Sequence, residues 1–321
     1  MELYKYISKQ NAPSCVALGC FDGIHIGHRK IISDMCSYAK QNNLISSVFT
    51  FSTSPAALLG KTPPRLLMSQ ADKLSLLAEL GVEKCFDIDF FEVMNTEPEL
   101  FITDILIKAL NVKAVFCGFN NRFGKAARGD SDLLKQICQK EGVEVFVTEP
   151  ICLDGEVVSS SRIRTLIENG EMTEANRLLG HTFSVDEPIL EGKHNGRKVG
   201  VPTVNQFPSG DYVTPRFGVY ASFVYIDGIR YSAITNVGVR PTVNGKDKNY
   251  ETHILGDFSR ELYGQTVRTE LLAFVRPERR FDDLRDLSEQ IQRDIEFVKA
   301  HKIWGQDSAD NQTTDYQQNL Y

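Results

Sequence analysis

Long apolar runs are missing from this chain. No stretch approaches the roughly 20 residues that cross a bilayer. Residues 1–10 lack the apolar core that heads an exported protein. An excess of positive charge is missing too. Lys and Arg number 36 against 42 Asp and Glu, a net charge of −6, which excludes a broad basic surface for nucleic acid. No two of the seven cysteines (Cys15, Cys20, Cys36, Cys85, Cys117, Cys138, Cys152) have CxxC spacing. Their odd number and apolar surroundings point to reduced, mostly buried thiols rather than disulfides or a zinc site. Internal repeats are absent, and so is the GK[ST] ending of a Walker A loop. A cytoplasmic protein with neither membrane nor nucleic acid as partner is expected. The sequence does not fix its assembly beyond a monomer or a transient homo-oligomer.

What is present divides the chain in two. Its 321 residues, 42% hydrophobic and 24% charged, suffice for two globular domains. The first half alternates strand patterns (15–18, 44–51, 84–90, 114–118, 143–147) with helix patterns (71–80, 97–110, 130–141). Such alternation predicts a parallel sheet covered on both faces. Ligands on such sheets bind at the carboxyl ends of strands. Short helices are expected at 160–168 and 173–179. From about 183 the texture changes to short strands (185–190, 218–226, 230–236, 250–255, 266–274) separated by turn signals, which predicts a small antiparallel barrel. Leu284, Leu287, Ile291, Ile295 and Val298 then recur at helical spacing. The expected domains are 1–182 and 183–304. The polar tail 305–321 is expected to be disordered.

Five segments carry chemistry. The first, Gly19-Cys20-Phe21-Asp22-Gly23-Ile24-His25-Ile26-Gly27-His28, follows the first buried strand and opens a helix with Ile32, Met35, Cys36 and Ala39 on one face. Free N–H groups and the helix dipole attract phosphate there. The two imidazoles can donate to phosphoryl oxygens, and Gly27 permits close approach. The second is Ser159-Ser160-Ser161-Arg162-Ile163-Arg164. Its hydroxyls either cap a helix or, with Arg164, hold phosphates. The third, from Gly118 through Asn120 and Phe123 to Arg128-Gly129-Asp130, is a turn that can line a pocket. The fourth is Gly196-Arg197-Lys198-Val199-Gly200-Val201-Pro202-Thr203-Val204-Asn205. In an extended segment Thr203 and Asn205 face one side, and two neutral oxygens suit a Mg²⁺ ion that keeps waters and takes phosphates. The fifth is Glu251-Thr252-His253-Ile254, where Glu251 and His253 share a strand face. Glu251 there is either a surface ion-pair partner or a base for an attacking hydroxyl.

In this order the motifs resemble the prokaryotic bifunctional riboflavin kinase/FMN adenylyltransferases, also called FAD synthetases. The resemblance runs from about Ser14 to Lys299. It implies a Rossmann-like α/β nucleotidyltransferase domain with a parallel sheet, then an antiparallel β-barrel riboflavin kinase domain with a C-terminal helix. Riboflavin, FMN and ATP are the implied substrates, with Mg²⁺ as metal and FAD as product. His25 and His28 would be catalytic in adenylyl transfer. Gly19, Phe21, Asp22, Gly27, Ser159, Ser160, Ser161 and Arg164 would bind ATP phosphates, as would Gly196, Arg197 and Gly200 in the kinase. Asn120, Phe123 and Arg128 would contact flavin, Thr203 and Asn205 would hold the metal with ATP, and Glu251 would be the kinase base.

The chain departs from the family pattern once in a place that bears on chemistry. Where the family has Pro-His-Pro after Thr50-Phe51, this chain has Thr53-Ser54-Pro55. The lost histidine opens a second reading, a riboflavin kinase with an impaired first domain, and a third, a flavin or nucleotide sensor. The HIGH tetrad also marks class I aminoacyl-tRNA ligases, but no KMSKS-like loop is present and the acidic charge suits tRNA poorly.

Overall fold

The computed structural model describes residues 1–52, 63–190, 203–208, 211–242, 245–256, 262–279, 281 and 283–304. Ser54, Gly196, Arg197, Gly200 and the tail 305–321 lie outside these residues. Two compact units make up the chain, Met1–Ser160 and Ser161–Tyr321.

The N-terminal unit is built on six parallel strands: β1 (Glu2–Tyr4), β2 (Ser14–Leu18), β3 (Ile45–Phe51), β4 (Lys84–Ile88), β5 (Val112–Gly118) and β6 (Glu144–Thr148), in the order β1-β4-β3-β2-β5-β6. Its strands alternate apolar residues to both sides, as burial on two faces requires. Cys15, Ala17, Val48, Cys85, Ala114 and Phe116 face one core with helix α1 (Ile26–Asn42) and helix α2 (Gln70–Glu79). Val16, Leu18, Phe49, Phe86, Val115 and Cys117 face the other. There they meet helix α3, which starts at Pro98–Leu100 and continues with π-type turns over Phe101–Ala109, and helix α4 (Ser131–Lys140). A helix was expected over 97–110, but its π character was not: Leu110 N reaches back five residues to Ile105 O at 2.9 Å. The chain moves to one side of β2 through β3 and β4, then returns to its other side at β5. β2 is therefore the switch point, and its carboxyl end is where such sheets take ligands.

All seven cysteines are free, and burial pushes the Cys15 and Cys85 thiols up to about 12. Four are buried, Cys36 is half-buried, and Cys20 and Cys152 are exposed. A small hairpin, β7 (Cys152–Leu153) and β8 (Glu156–Val157), precedes helix α5 (Ser160–Asn169) and helix α6 (Met172–Leu179). The division between units falls at the start of α5. Helix α6 packs within the C-terminal unit, where Asn176 Nδ2 donates to Leu271 O at 2.8 Å and its Oδ1 accepts from Phe183 N at 2.8 Å.

The C-terminal unit has six antiparallel strands: β9 (Phe183–Pro188), β10 (Thr203–Gln206), β11 (Gly218–Ile226), β12 (Ile229–Thr242), β13 (Gly245–Ile254) and β14 (Thr266–Pro277), in the order β10-β13-β12-β11-β14-β9. The sheet closes on itself. Just past β9, Leu190 bridges Asn205 of β10, with Leu190 N donating to Asn205 O at 2.9 Å. The inner face carries Val224, Ile226, Ala233, Ile254 and Val267. It also carries a buried chain of hydroxyls, Ser222 to Thr235 at 2.8 Å and Thr235 to Thr252 at 2.9 Å. The outer face of β11 and β12 (Val219, Ala221, Phe223, Ile234) is covered by helix α7 (Leu284–Ala300), through Ile295 and Val298, and by Trp304. Asp283 caps α7, donating nothing and accepting from Arg285 N and Asp286 N at 2.8 Å each.

Candidate active sites

The first constellation lies beyond β2. Phe21 (φ 50), Gly23 (φ 82) and Ile24 (φ 32) all take left-handed backbone. For two non-glycine residues that costs on the order of 1 kcal/mol or more each. The burial of both side chains in the α1–α2 core holds them there. Gly19 makes this possible, because a Cβ on it would sit 3.0 Å from the Phe21 ring.

His25 is the N-cap of α1, and its Nδ1 accepts from the His28 backbone N–H at 3.3 Å. A neutral imidazole that accepts on Nδ1 carries its proton on Nε2, so His25 keeps Nε2–H as a donor. The His28 ring stacks on the His25 ring at 3.7 Å between centroids, and Phe21 meets His28 edge-on at 5.3 Å. Burial pulls His25 down to about 4. Burial and the neighbouring His25 pull His28 well below the ordinary imidazole range. Both rings are therefore neutral at pH 7. His28 Nδ1 is buried with no hydrogen-bond partner among the described residues. The first turn of α1 holds no acidic residue, so although His25 caps the His28 N–H, the dipole and the N–H groups of Ile26 and Gly27 favour an anion. A Cβ on Gly27 would lie 3.1 Å from His25 Cε1, which shows how closely this turn is packed.

Asp22 locks the loop in place. Its Oδ1 accepts from Leu67 N at 3.0 Å, and its carbonyl accepts from Ser160 Oγ at 2.9 Å. The serine segment is thus brought against the loop through Ser160, with Ser159 beside it in sequence. Ser161 and Arg164 follow on the first turn of α5.

At the ends of β3 and β4 lies a residue the sequence reading did not single out. Lys73 of α2 is 6% exposed, and its Nζ donates to Phe51 O at 3.1 Å and Thr50 Oγ1 at 3.5 Å. Thr50 Oγ1 in turn donates to Cys20 O at 3.1 Å. Burial lowers the Lys73 pKa, against the opposing pull of Asp87. A signal was available: Lys73 stands one turn before the buried Leu77, on the inward stripe of α2.

The segment after β5 is mixed. Asn120 is exposed. Phe123 is 9% exposed and belongs to the core, tilted against Phe101 at 5.5 Å. Gly129 gives that ring its room, since a Cβ there would lie 2.5 Å from it. Arg128 pairs with Glu97, which Lys125 also approaches at 3.3 Å. Ala126 and Ala127 both stand at φ 54.

The second constellation sits on strands rather than loops. Asn205 of β10 lies opposite Glu251 of β13, and Glu251 lies opposite Asn236 of β12. Thr203 lies opposite His253 in the same way. Directly opposed residues share a face, so these five side chains form one patch. Thr203 Oγ1 donates to Glu251 Oε1 at 2.9 Å. The patch is on the outer face, continuous through Asn236 and Val219 with the face that α7 covers. No group of three or more His, Cys, Asp or Glu able to hold a metal occurs among the described residues. Apart from the imidazole of His253, the donors here are hard oxygens, the Glu251 carboxylate among the neutral Thr203, Asn205 and Asn236, which fits a Mg²⁺ ion held largely by phosphates and water.

Known proteins agree with this two-part layout. Residues 7–162 match the FAD synthetase family model, and residues 179–302 match the riboflavin kinase model. A Bacillus subtilis bifunctional riboflavin kinase/FMN adenylyltransferase is 33% identical over 294 residues, covering 90% of this chain and 92% of that protein. Its Escherichia coli counterpart is 34% identical over 295 residues, covering 90% and 93%. A solved Streptococcus pneumoniae chain described as a macrolide-efflux protein superposes with a TM-score of 0.85 at 29% identity, covering 93% of this chain and 99% of that one. No helix among the described residues is long and apolar enough to cross a membrane. With both domain models matched in order and relatives aligned over nine-tenths of its length, the chain belongs to the bifunctional riboflavin kinase/FMN adenylyltransferases, the phosphorus-group transferases of FAD biosynthesis.

Proposed function

We propose that the two reactions run on the two constellations described above. In the C-terminal unit Glu251 takes the proton of the riboflavin 5′-hydroxyl as that oxygen attacks the γ-phosphate of ATP, giving FMN and ADP. The hydroxyl is a poor nucleophile, so a carboxylate base raises the rate. One observation carries this reading: Glu251 is flanked by Asn205 and Asn236 on adjacent strands, with Thr203 Oγ1 on its carboxylate at 2.9 Å. Thr203 and Asn205 would hold Mg²⁺, which neutralises phosphate charge when bound. Gly196, Arg197 and Gly200 are assigned to the same ATP by family likeness.

In the N-terminal reaction the FMN phosphate attacks the α-phosphate of a second ATP, and pyrophosphate leaves. FMN phosphate is already ionised near pH 7, so no strong base is required. Donors around the α-phosphate and leaving group are required instead. Neutral His25 and His28 supply such donors, at a helix N-terminus that itself favours anions. Gly19, Phe21 and Gly27 shape the loop, and Asp22 fixes it through Leu67 and Ser160. Ser159, Ser160, Ser161 and Arg164 bind phosphate by family likeness, and Asn120, Phe123 and Arg128 are assigned to flavin. On this reading residues 1–182 serve adenylyl transfer and 183–304 serve the kinase. The chain works in the cytoplasm as a monomer or transient homo-oligomer.

The test is direct. Purified protein with riboflavin, ATP and Mg²⁺ should give FMN and then FAD by chromatography. FMN that accumulates without FAD would leave a kinase alone. Flavin binding with neither product would leave a sensor.

A further inference from the structure

A buried ammonium stands at the ligand end of the parallel sheet without an anion of its own. Lys73 Nζ has three N–H donors, and two are met by neutral oxygens, Phe51 O and Thr50 Oγ1. Among the described residues no carboxylate is in ion-pair contact with it. Asp87, whose charge acts on it most, pairs through Oδ2 with Lys5, and its buried Oδ1 has no hydrogen-bond partner among the described residues. A desolvated cation with no carboxylate in contact is costly. Packing alone does not call for one here, because a methionine would fill the same inward position beside Leu77.

The location gives the charge a purpose. Thr50 Oγ1 joins Lys73 to Cys20 O, in the loop that leads to His25. β3 adjoins β2 on the side away from β5, so Lys73 flanks the histidine loop on its β3 side. Both imidazoles are neutral, so they offer donors but no net charge. We propose that Lys73 is a phosphate-binding residue of the adenylyl-transfer site, its free N–H directed to a phosphate oxygen docked beside the loop. The inference rests on the adenylyltransferase reading of this unit. The phosphate has two sources, the monoester of FMN and the triphosphate of ATP.

Steady-state kinetics on the full chain separate them. The Lys73→Met variant should raise the KM for one substrate of FAD formation by roughly ten- to a hundredfold, with riboflavin phosphorylation in the same chain as reference. A rise for FMN alone assigns the monoester, and a rise for ATP alone the triphosphate. Lys73→Arg, which keeps the charge, should recover part of the loss. Unchanged KM and kcat with only a lower melting temperature would reduce Lys73 to a structural tie and overturn the proposal. Should Lys73→Met fail to fold, the lysine ¹⁵Nζ resonance of the unaltered chain serves instead, assigned by its absence in Lys73→Arg. A shift on adding FMN or a non-hydrolysable ATP analogue supports the role, and no shift with either removes it. An unaltered chain that forms no FAD would break the adenylyltransferase reading itself, and the proposal with it.

Discussion

The two units place their reactive groups by different means. In the N-terminal unit the strands only aim the chain. The proposed phosphate site begins after Leu18, in a loop whose left-handed residues Phe21 and Ile24 are held by burial. In the C-terminal unit the proposed site lies on the strands themselves, where the pairing of β10, β13 and β12 sets Asn205, Glu251 and Asn236 side by side. A parallel sheet buried on both faces has no surface to spare, so function moves to the strand ends. An antiparallel sheet with one face partly open can carry function along its length. The first arrangement depends on local strain and helix geometry, the second on register.

The sharpest way to break this contrast is Glu251→Ala. FMN formation should fall by roughly 10² to 10⁴, while conversion of added FMN to FAD stays nearly intact. Equal loss of both activities would show that the sites are not separate. His28→Ala should do the reverse, lowering FAD formation by roughly 10² to 10³ with riboflavin phosphorylation unchanged. Undiminished FAD synthesis would remove that imidazole from the mechanism.

The third effect is on stability against pH, and it sharpens the comparison because it belongs to the loop and not to the barrel. His25 is depressed from 6.5 to about 4 by burial, so between those values the unfolded chain binds the extra proton. Stability from this group is complete above about pH 6.5 and is lost as pH falls toward 4. Lowering the pH from 7 to 5 should cost the N-terminal unit about 2 kcal/mol from this residue. Chemical denaturation at the two pH values, followed separately for each unit, measures it. The smallest effect is Asn176→Ala. It removes the bonds that dock α6 on Leu271 O and Phe183 N and should cost the C-terminal unit about 1–2 kcal/mol. A loss confined to the N-terminal unit would show that α6 belongs there.

Much of this was legible in the sequence, for identifiable reasons. Strand edges such as 218–226 were readable because glycine and Asp227-Gly228 bound the run. The start of α1 was readable because Gly27, His25 and the apolar stripe of Ile32, Met35 and Ala39 coincide. Thr203 and Asn205 were placed on one side by strand periodicity alone. What stayed hidden depends on contacts across the chain. Asn236 joins Glu251 only through the β12–β13 pairing. Lys73 stands on the inward stripe of α2 in the sequence, but only the fold sets it at the end of β3. That the Phe123 ring packs in the core against Phe101, in room left by Gly129, is likewise visible only in the fold. The π turns of α3 carry no sequence mark distinct from an ordinary helix.

The hydroxyl chain inside the barrel has a consequence for the carboxylate outside it. A slip of β13 by one position would turn every side chain over. Thr252 would then swing to the exterior, and Glu251 would enter a space lined by Val224, Ala233 and Ile254. Abandoned hydroxyls and a charge among aliphatics both make that misalignment expensive. The linkage from Ser222 to Thr252 thus works as a keying device. By forbidding the wrong alignment indoors, it guarantees on the far side of the wall where Glu251, the proposed base, must stand.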